Sequence, residues 1–430
     1  MEFQGVKGTR DFYPDNMRIR NWIVDAWRRV SLRNGFEEYD SPIFEYLDLF
    51  TVKSGQEIAG QLFNFIDRGG RQLAIRPEIT PSLARMVNAK INSLPRPIKW
   101  FSTPRLCRAE NPQKGRLREF FQWNVDVIGT DSILADAECI YVAVDLLREL
   151  GLSADDVCVR IGSRPLTIAA LRAADVPEEL TDAAVAVLDK RPKLSEEDFA
   201  KLAREAGLND GQIAAVGRFQ QAGSVDELRE HFQERDDVRA HLDDLAELFA
   251  ALSAMGAGDY CTLDLRVVRG LAYYTGVVYE VFDRSQSLRA VAGGGRYDNL
   301  LEVLGGPKVG ATGFGMGDVV LGILLAEKGK LPAMSQQIDY FVIEGDEAAR
   351  PMVLEVVGAL RRAGLSADFN YRPQALGKQL KAANRRGASH AAIVRADGVM
   401  VTVKDLASGD QRDTTLTELL KAPTGAEYMP

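Results

Sequence analysis

Apolar residues recur at helical spacing over residues 14–34. Ile19, Ile23, Ala26, Trp27 and Val30 share one face of a 3.6-residue period, and Gly35 supplies a stop, so an amphipathic helix is predicted. Pro42, within Asp40-Ser41-Pro42-Ile43, breaks any continuation and suits extended chain. Residues 73–78 predict a strand that leads into a helix, with Thr80 as N-cap and Pro81 at the first helical position. Residues 98–109 and 119–129 predict an antiparallel hairpin joined by the turn-rich, basic stretch 110–116. A helix is predicted over 131–150.

From 165 to 255 the chain turns Ala-, Glu-, Asp- and Lys-rich with helical periods, which predicts a helical insertion. Strand character returns at 261–268 and 277–282. A glycine-rich turn is expected at 293–295, then a helix at 299–304. The run Gly313-Phe314-Gly315-Met316-Gly317 precedes a helix at about 318–328. Residues 328–332 read as a linker. Beyond it, strands at 340–343, 367–370, 391–394 and 400–404 alternate with helices at 348–363 and 376–386, as in a small α/β domain. The domains expected are 1–327, with the insertion at about 165–255, and 335–425.

Composition narrows the class. The 430 residues are 46% apolar and 27% charged, ordinary for a globular protein with two or three cores. No stretch is long and apolar enough for a membrane helix, and the start carries no signal-peptide pattern, so a cytoplasmic protein is expected. Cys107, Cys139, Cys158 and Cys261 are scattered, with no CxxC pair, and His231, His241 and His390 lie far from them; neither a disulfide framework, a zinc finger nor a His-based metal site is expected. The net charge of −8 argues against unselective coating of nucleic acid, but leaves room for a local basic surface.

Several residues carry candidate chemistry. Asp126 lies inside the apolar strand Trp123-Asn124-Val125-Asp126-Val127-Ile128, and Gln122, at even separation, faces the same side. A carboxylate there is costly unless paired, so it is either half of an internal ion pair or a pocket for an amine or imidazole. Glu78 is either an acid favouring a helix dipole or a second ligand group. Arg105, Arg108, Arg116 and Arg118 flank the hairpin loop, with Arg108 and Arg118 on opposite strands. They form either an exposed basic loop or a phosphate site, which guanidinium forks suit. Arg269 ends an apolar strand beside Gly270, where it either approaches a ligand or caps a turn. Gly293-Gly294-Gly295-Arg296 lacks a P-loop ending, and Gly313–Gly317 is either a backbone nest or close packing. Tyr273-Tyr274 fits core, rim or ligand stack.

In this order the chain carries 73–80 (Leu-Ala-Ile-Arg-Pro-Glu-Ile-Thr), Arg108-Ala109-Glu110 with 112–116, 269–276 (Arg-Gly-Leu-Ala-Tyr-Tyr-Thr-Gly) and Gly294-Gly295-Arg296-Tyr297-Asp298. The set resembles the histidyl-tRNA synthetases, from Gly8-Thr9-Arg10-Asp11 to the C-terminal domain. The resemblance implies an α+β class II catalytic domain, its antiparallel sheet flanked by helices and carrying the helical insertion, plus a C-terminal α/β anticodon-binding domain. It also implies a homodimer, with Pro42 in the interface motif. L-histidine, ATP with Mg²⁺, and tRNA-His are the implied substrates; the metal travels with ATP rather than in a protein site.

The resemblance assigns roles. Arg108 holds the α-phosphate and the histidine carboxylate, Arg116 reaches the outer phosphates, and Glu110 belongs to the ATP site. Glu78, Thr80 and Gln122 surround the α-amino group. Asp126 and Tyr274 read the imidazole, with Tyr273 and Tyr297 lining the pocket. Arg269 approaches the reacting carboxylate, and Gln113 and Arg118 lie toward the extra guanosine of the acceptor end. Two positions depart from the family. Val320 stands where the third motif ends in an arginine for the γ-phosphate, which leaves Arg116 or Arg296 to serve it, and Ala272 stands where Asp is frequent. A second reading is the synthetase-like regulatory subunit of ATP phosphoribosyltransferase, which binds histidine without charging RNA. The intact 269–276 stretch and a C-terminal domain with Lys378, Lys381, Arg385 and Arg386 on one helix favour the enzyme.

Overall fold

A computed structural model describes residues 3–54, 62–191, 194–233, 235–268, 274–333, 337–398 and 400–420. It divides into two compact units, Met1–Pro332 and Ala333–Pro430.

In the first unit a largely antiparallel sheet runs in the order Glu37–Glu38, Ile98–Ser102, Glu119–Ile128, Ala311–Gly317, Ala292–Arg296, Val277–Asp283, Val157–Ser163, Cys261–Leu263. Only the two outermost pairings are parallel. Period-2 alternation decides which side chain faces which layer. Along Glu119–Ile128, the side chains of Trp123, Val125 and Val127 enter a large apolar core with the helices Pro14–Arg33, Ile133–Glu149 and Asp236–Ala254. The even positions Gln122, Asn124 and Asp126 face the opposite layer. There Ile98, Ile128, Val278 and Ala311 pack with Ile79, Leu83 and Val87 around the helix Thr80–Lys90.

The face predicted for the first helix is the one it buries. Ile23, Ala26, Trp27 and Val30 are inaccessible, and Ile19 is partly so. Burying such side chains contributes roughly 1.5–3 kcal/mol each.

Four local expectations change. The strand predicted over 98–109 splits into Ile98–Ser102 and Arg105–Cys107, both paired with Glu119–Ile128. Pro104 sits at the break, where it has no N–H to give and its carbonyl accepts from Gln122 N. Thr80 is the first helical residue and Ile79 the N-cap, without a side-chain cap bond. Strand Cys261–Leu263 ends well before 268. Gly293–Gly295 lies within the strand Ala292–Arg296 and makes no turn.

The helical stretch does not pack as one separate body. Phe219, Leu228, Leu242, Leu245 and Leu248 join the main core, whereas Leu171, Val185, Leu188, Phe199 and Val216 form a small core with Val268.

The second unit carries a sheet in the order Ala367–Phe369, Ile338–Glu344, Ala388–Val394, Val401–Asp405, Gln411–Thr414, with helices Arg350–Arg362 and Leu376–Arg385 between its parallel strands. The last strand and the short helix Leu416–Leu419 escaped the sequence reading, because Gln411-Arg412-Asp413-Thr414 carries no apolar alternation.

Candidate active site

The floor of the site is one face of the central sheet. Asp126 pairs across with Gly313, Gly313 with Gly295, and Gly295 with Val278. One step along, Asn124 pairs with Gly315, and then Gln122 with Gly317. The glycines keep the face open. A Cβ on Gly313 would stand 2.2 Å from Asp126 Oδ1, one on Gly315 2.8 Å from Gln122 Cδ, and one on Gly295 2.9 Å from Tyr274 Cδ1. Gly294, Gly295, Gly313 and Gly315 are therefore strand residues at points of close approach, neither turn nor nest.

Asp126 is buried, and Tyr297 donates its hydroxyl to Asp126 Oδ1. Oδ2 has no hydrogen-bond partner among the described residues. Burial pushes the carboxyl up to about 7, against the opposing effect of the Tyr297 bond. No cation pairs with Asp126 among the described residues, so the internal ion pair is not formed there. A buried ion pair lies elsewhere in this unit: Arg296 donates through Nε to Asp136 Oδ2 at 3.0 Å and through Nη1 to Asp298 Oδ1 at 3.3 Å. Arg296 also bonds the carbonyls of Thr130 and Ser132. Fully engaged in this way, Arg296 is not available to a γ-phosphate.

On the same face opens a cavity of about 1030 Å³, lined among others by Arg108, Arg116, Gln122, Arg289, Gly315 and Val320. Arg108 donates Nε to the Pro77 carbonyl at 3.0 Å and lies over the Phe120 ring, which ties the hairpin to the segment carrying Glu78. Its two terminal nitrogens make no bond among the described residues. Arg116 is ion-paired with Glu110, and a Gln113–Arg116 bridge closes the loop. Arg118 spans to the carbonyls of Glu110 and Lys7, whereas Gln113 is exposed.

The histidyl-tRNA synthetase family pattern matches residues 8–317, and an anticodon-binding domain pattern matches 334–422. The histidine–tRNA ligase of Opitutus terrae is 41% identical over 417 residues, 96% of this chain and 95% of that protein. The chain belongs to the histidyl-tRNA synthetase family. It is thus an aminoacyl-tRNA synthetase by descent. The chloroplastic/mitochondrial histidine–tRNA ligase of Arabidopsis thaliana is 39% identical over 417 residues, 96% of this chain and 85% of that protein. The crystal structure of histidyl-tRNA synthetase from Nostoc sp. PCC 7120 has the same fold, with a TM-score of 0.82 at 24% identity over 98% of this chain and 99% of that one.

Within this synthetase fold the structure gathers Gln122, Asp126, Tyr274 and Tyr297 on one sheet face and Arg108 with Arg116 at the adjoining cavity. Glu78 and Thr80 are half-buried at the start of the helix that covers that face, and Glu78 precedes the helix instead of lying in its first turn. Arg269 and Tyr273 lie outside the described residues.

Sequence reasoning missed four residues here: Tyr39, Arg76, Asp318 and Asn124. Tyr39 is buried in the same apolar layer, with its hydroxyl unbonded among the described residues. Burial, then the charge of Asp126, holds its phenol well above the usual range. Arg76 is buried and bonds Asp40 Oδ1, Ser41 O and Arg105 O, which fastens the segment before Pro42 to the hairpin. Asp318 accepts from Phe121 N and from Arg10, so the first residue after Gly317 anchors both the central strand and the N-terminal segment. Only Asn124, whose parity matches Gln122 and Asp126, had a signal that could have placed it on this face.

Proposed function

We propose that this chain activates L-histidine with ATP to histidyl-adenylate and transfers the histidyl group to the 3′ end of tRNA-His. The buried carboxylate of Asp126 carries the reading. One oxygen is held by Tyr297, the other is unbonded among the described residues, and the group stands on the same face as the arginine-lined cavity. Such a carboxylate suits an imidazole N–H. A pocket built around that bond rejects apolar analogues by roughly 10⁴ or more, because they leave its polar groups unpaired.

In this reading a histidine carboxylate oxygen attacks the α-phosphorus of ATP, the bond from phosphorus to the bridging oxygen breaks, and pyrophosphate leaves with the electron pair. A ribose hydroxyl of tRNA then attacks the histidyl carbonyl and AMP departs. Positioning and charge neutralisation dominate such chemistry. Arg108, with Arg269, is assigned to the α-phosphate and carboxylate, Glu78, Thr80 and Gln122 to the α-amino group, and Asp126, Tyr273, Tyr274 and Tyr297 to the ring. Arg116 and Glu110 belong to the ATP site, and Gln113 and Arg118 to the acceptor end. Mg²⁺ arrives on the nucleotide phosphates, where it neutralises charge. Among the described residues no three metal-binding side chains gather into a protein cage for it.

The reading includes a cytoplasmic homodimer. Exposed Ile43, Phe44 and Tyr46, directly after Pro42, supply apolar surface for a second copy. No helix of the described residues is long and apolar enough to cross a membrane. Val320 is the one observation that favours the histidine-binding regulatory subunit; the anticodon-binding match over 334–422 weighs against it.

The test is exchange of labelled pyrophosphate into ATP by the purified full chain. Exchange that depends on histidine, together with charging of a tRNA-His transcript, is expected. Absence of both with histidine and Mg²⁺ present contradicts the reading.

A further inference from the structure

Arg289 is the cationic group of the cavity that neither the fold nor the assigned roles use. It sits in the connection between strands Val277–Asp283 and Ala292–Arg296, and that connection is fastened on both sides of it. The Asp283 carboxylate accepts from Ser287 N and Leu288 N at 3.0 and 3.1 Å, and Val291 N donates to Val281 O at 2.7 Å. The guanidinium itself forms no hydrogen bond or ion pair among the described residues, in a chain where most arginines around it do. Arg116 is held by Glu110, Arg296 by Asp136, Arg160 and Arg266 by Asp264.

Its position is specific. Gly115, at the tip of the hairpin loop with φ of +78°, lies between Arg289 and Val320. A Cβ there would stand 3.3 Å from Val320 Cγ2 and 3.7 Å from Arg289 Cδ. Arg289 thus borders the spot where the chain has a valine in its third motif. The charges of Arg116, Glu110, Arg108 and Glu280 all act on it. Burial, and after it the Arg116 charge, lowers the proton affinity of its guanidinium. Guanidiniums crowded at a cavity mouth call for an anion with several oxygens, and a preset fork loses little freedom on binding one.

We propose that Arg289 holds the outer phosphates of ATP beside Arg116, in place of the arginine that Val320 replaces. The inference rests on the histidine-activating reading for the identity of the nucleotide. It makes Arg289 a binding residue for the β- and γ-phosphates and for the departing pyrophosphate. Arg108 remains with the α-phosphate.

The test uses Arg289→Ala and Arg289→Lys in the full chain. Loss of a charge-assisted contact is expected to raise the KM for ATP in pyrophosphate exchange by about 10- to 100-fold in the alanine variant, and less in the lysine variant. The KM for histidine stays within about twofold. AMP, which lacks the outer phosphates, serves as the internal control, because its binding should not change. An unchanged KM for ATP, or a parallel loss for AMP, overturns the inference. Calorimetric titration of ATP and AMP reads the same ratio without turnover. Wild-type protein that fails to catalyse histidine-dependent exchange would sink the reading of the reaction, whereas the ATP-to-AMP ratio still decides the place of Arg289.

Discussion

Asp126 and Gly313 stand directly opposite each other on neighbouring strands, so close that a single methyl group on Gly313 would come within 2.2 Å of Asp126 Oδ1 and 2.5 Å of the Val125 carbonyl. The acid is accommodated because its cross-strand partner has no side chain. The same device recurs one step along, where Gly315 faces the amide of Gln122. A β-sheet face that would ordinarily be filled by apolar side chains is instead kept hollow and polar.

Gly313→Ala is therefore expected to disturb the acid and the strand backbone together. Overpacking of this kind typically costs about 1–3 kcal/mol. Thermal unfolding should show a lowered Tm, and pyrophosphate exchange should show a histidine KM raised about tenfold or more, with the ATP KM little changed. Wild-type Tm and histidine KM in this variant would mean that the floor is not tightly built.

Asp126 also sets a pH dependence. Burial raises its pKa from 3.8 to about 7, so between those values the folded protein holds a proton that the unfolded chain has released. Stability from this group is thus full below about pH 4, falls as pH rises to about 7, and is level above. Asp126→Asn removes the penalty and keeps an oxygen for Tyr297. At pH 8 it should be more stable than wild type by about a few kcal/mol, and so unfold at a higher Tm, and the gap should close toward pH 4. A variant less stable than wild type at pH 8 would contradict a buried, unpaired carboxylate.

Much of this was legible from alternation and much was not. The parity of Gln122 and Asp126 and the buried face of the first helix follow from periods of 2 and 3.6, and the structure repeats them. Gly293–Gly295 reads as a turn because glycine disfavours strands. Only the cross-strand approach of Tyr274 and the Gly313 carbonyl explains its presence in one. Arg296 is a candidate for the γ-phosphate because the third motif has Val320 in place of its arginine, yet its side chain leaves the opposite side of the strand from Gly295 and bonds Asp136. Arg289 gave no signal at all, since an isolated arginine in a connection becomes notable only beside Val320 and Gly115.

The Asp136–Arg296 pair yields a separate prediction. Asp136 is completely buried, and burial pushes its carboxyl up against the opposing pull of Arg296. Asp136→Asn leaves the buried guanidinium with only the longer carboxylate contact to Asp298, and a destabilisation of up to about 3–5 kcal/mol is expected. Chemical denaturation should register that loss. In the folded fraction the KM for ATP should match wild type, because Arg296 does not serve phosphate. A specific rise in ATP KM at full stability would reverse that assignment.

The most direct test is steady-state pyrophosphate exchange by Asp126→Ala, with histidine and ATP varied in turn. A hydrogen bond to a charged group contributes about 1.5–3 kcal/mol, so the histidine KM should rise by about 10- to 100-fold while the ATP KM stays within about twofold of wild type. Equal losses for both substrates, or an unaltered histidine KM, would contradict the claim that this carboxylate reads the ring.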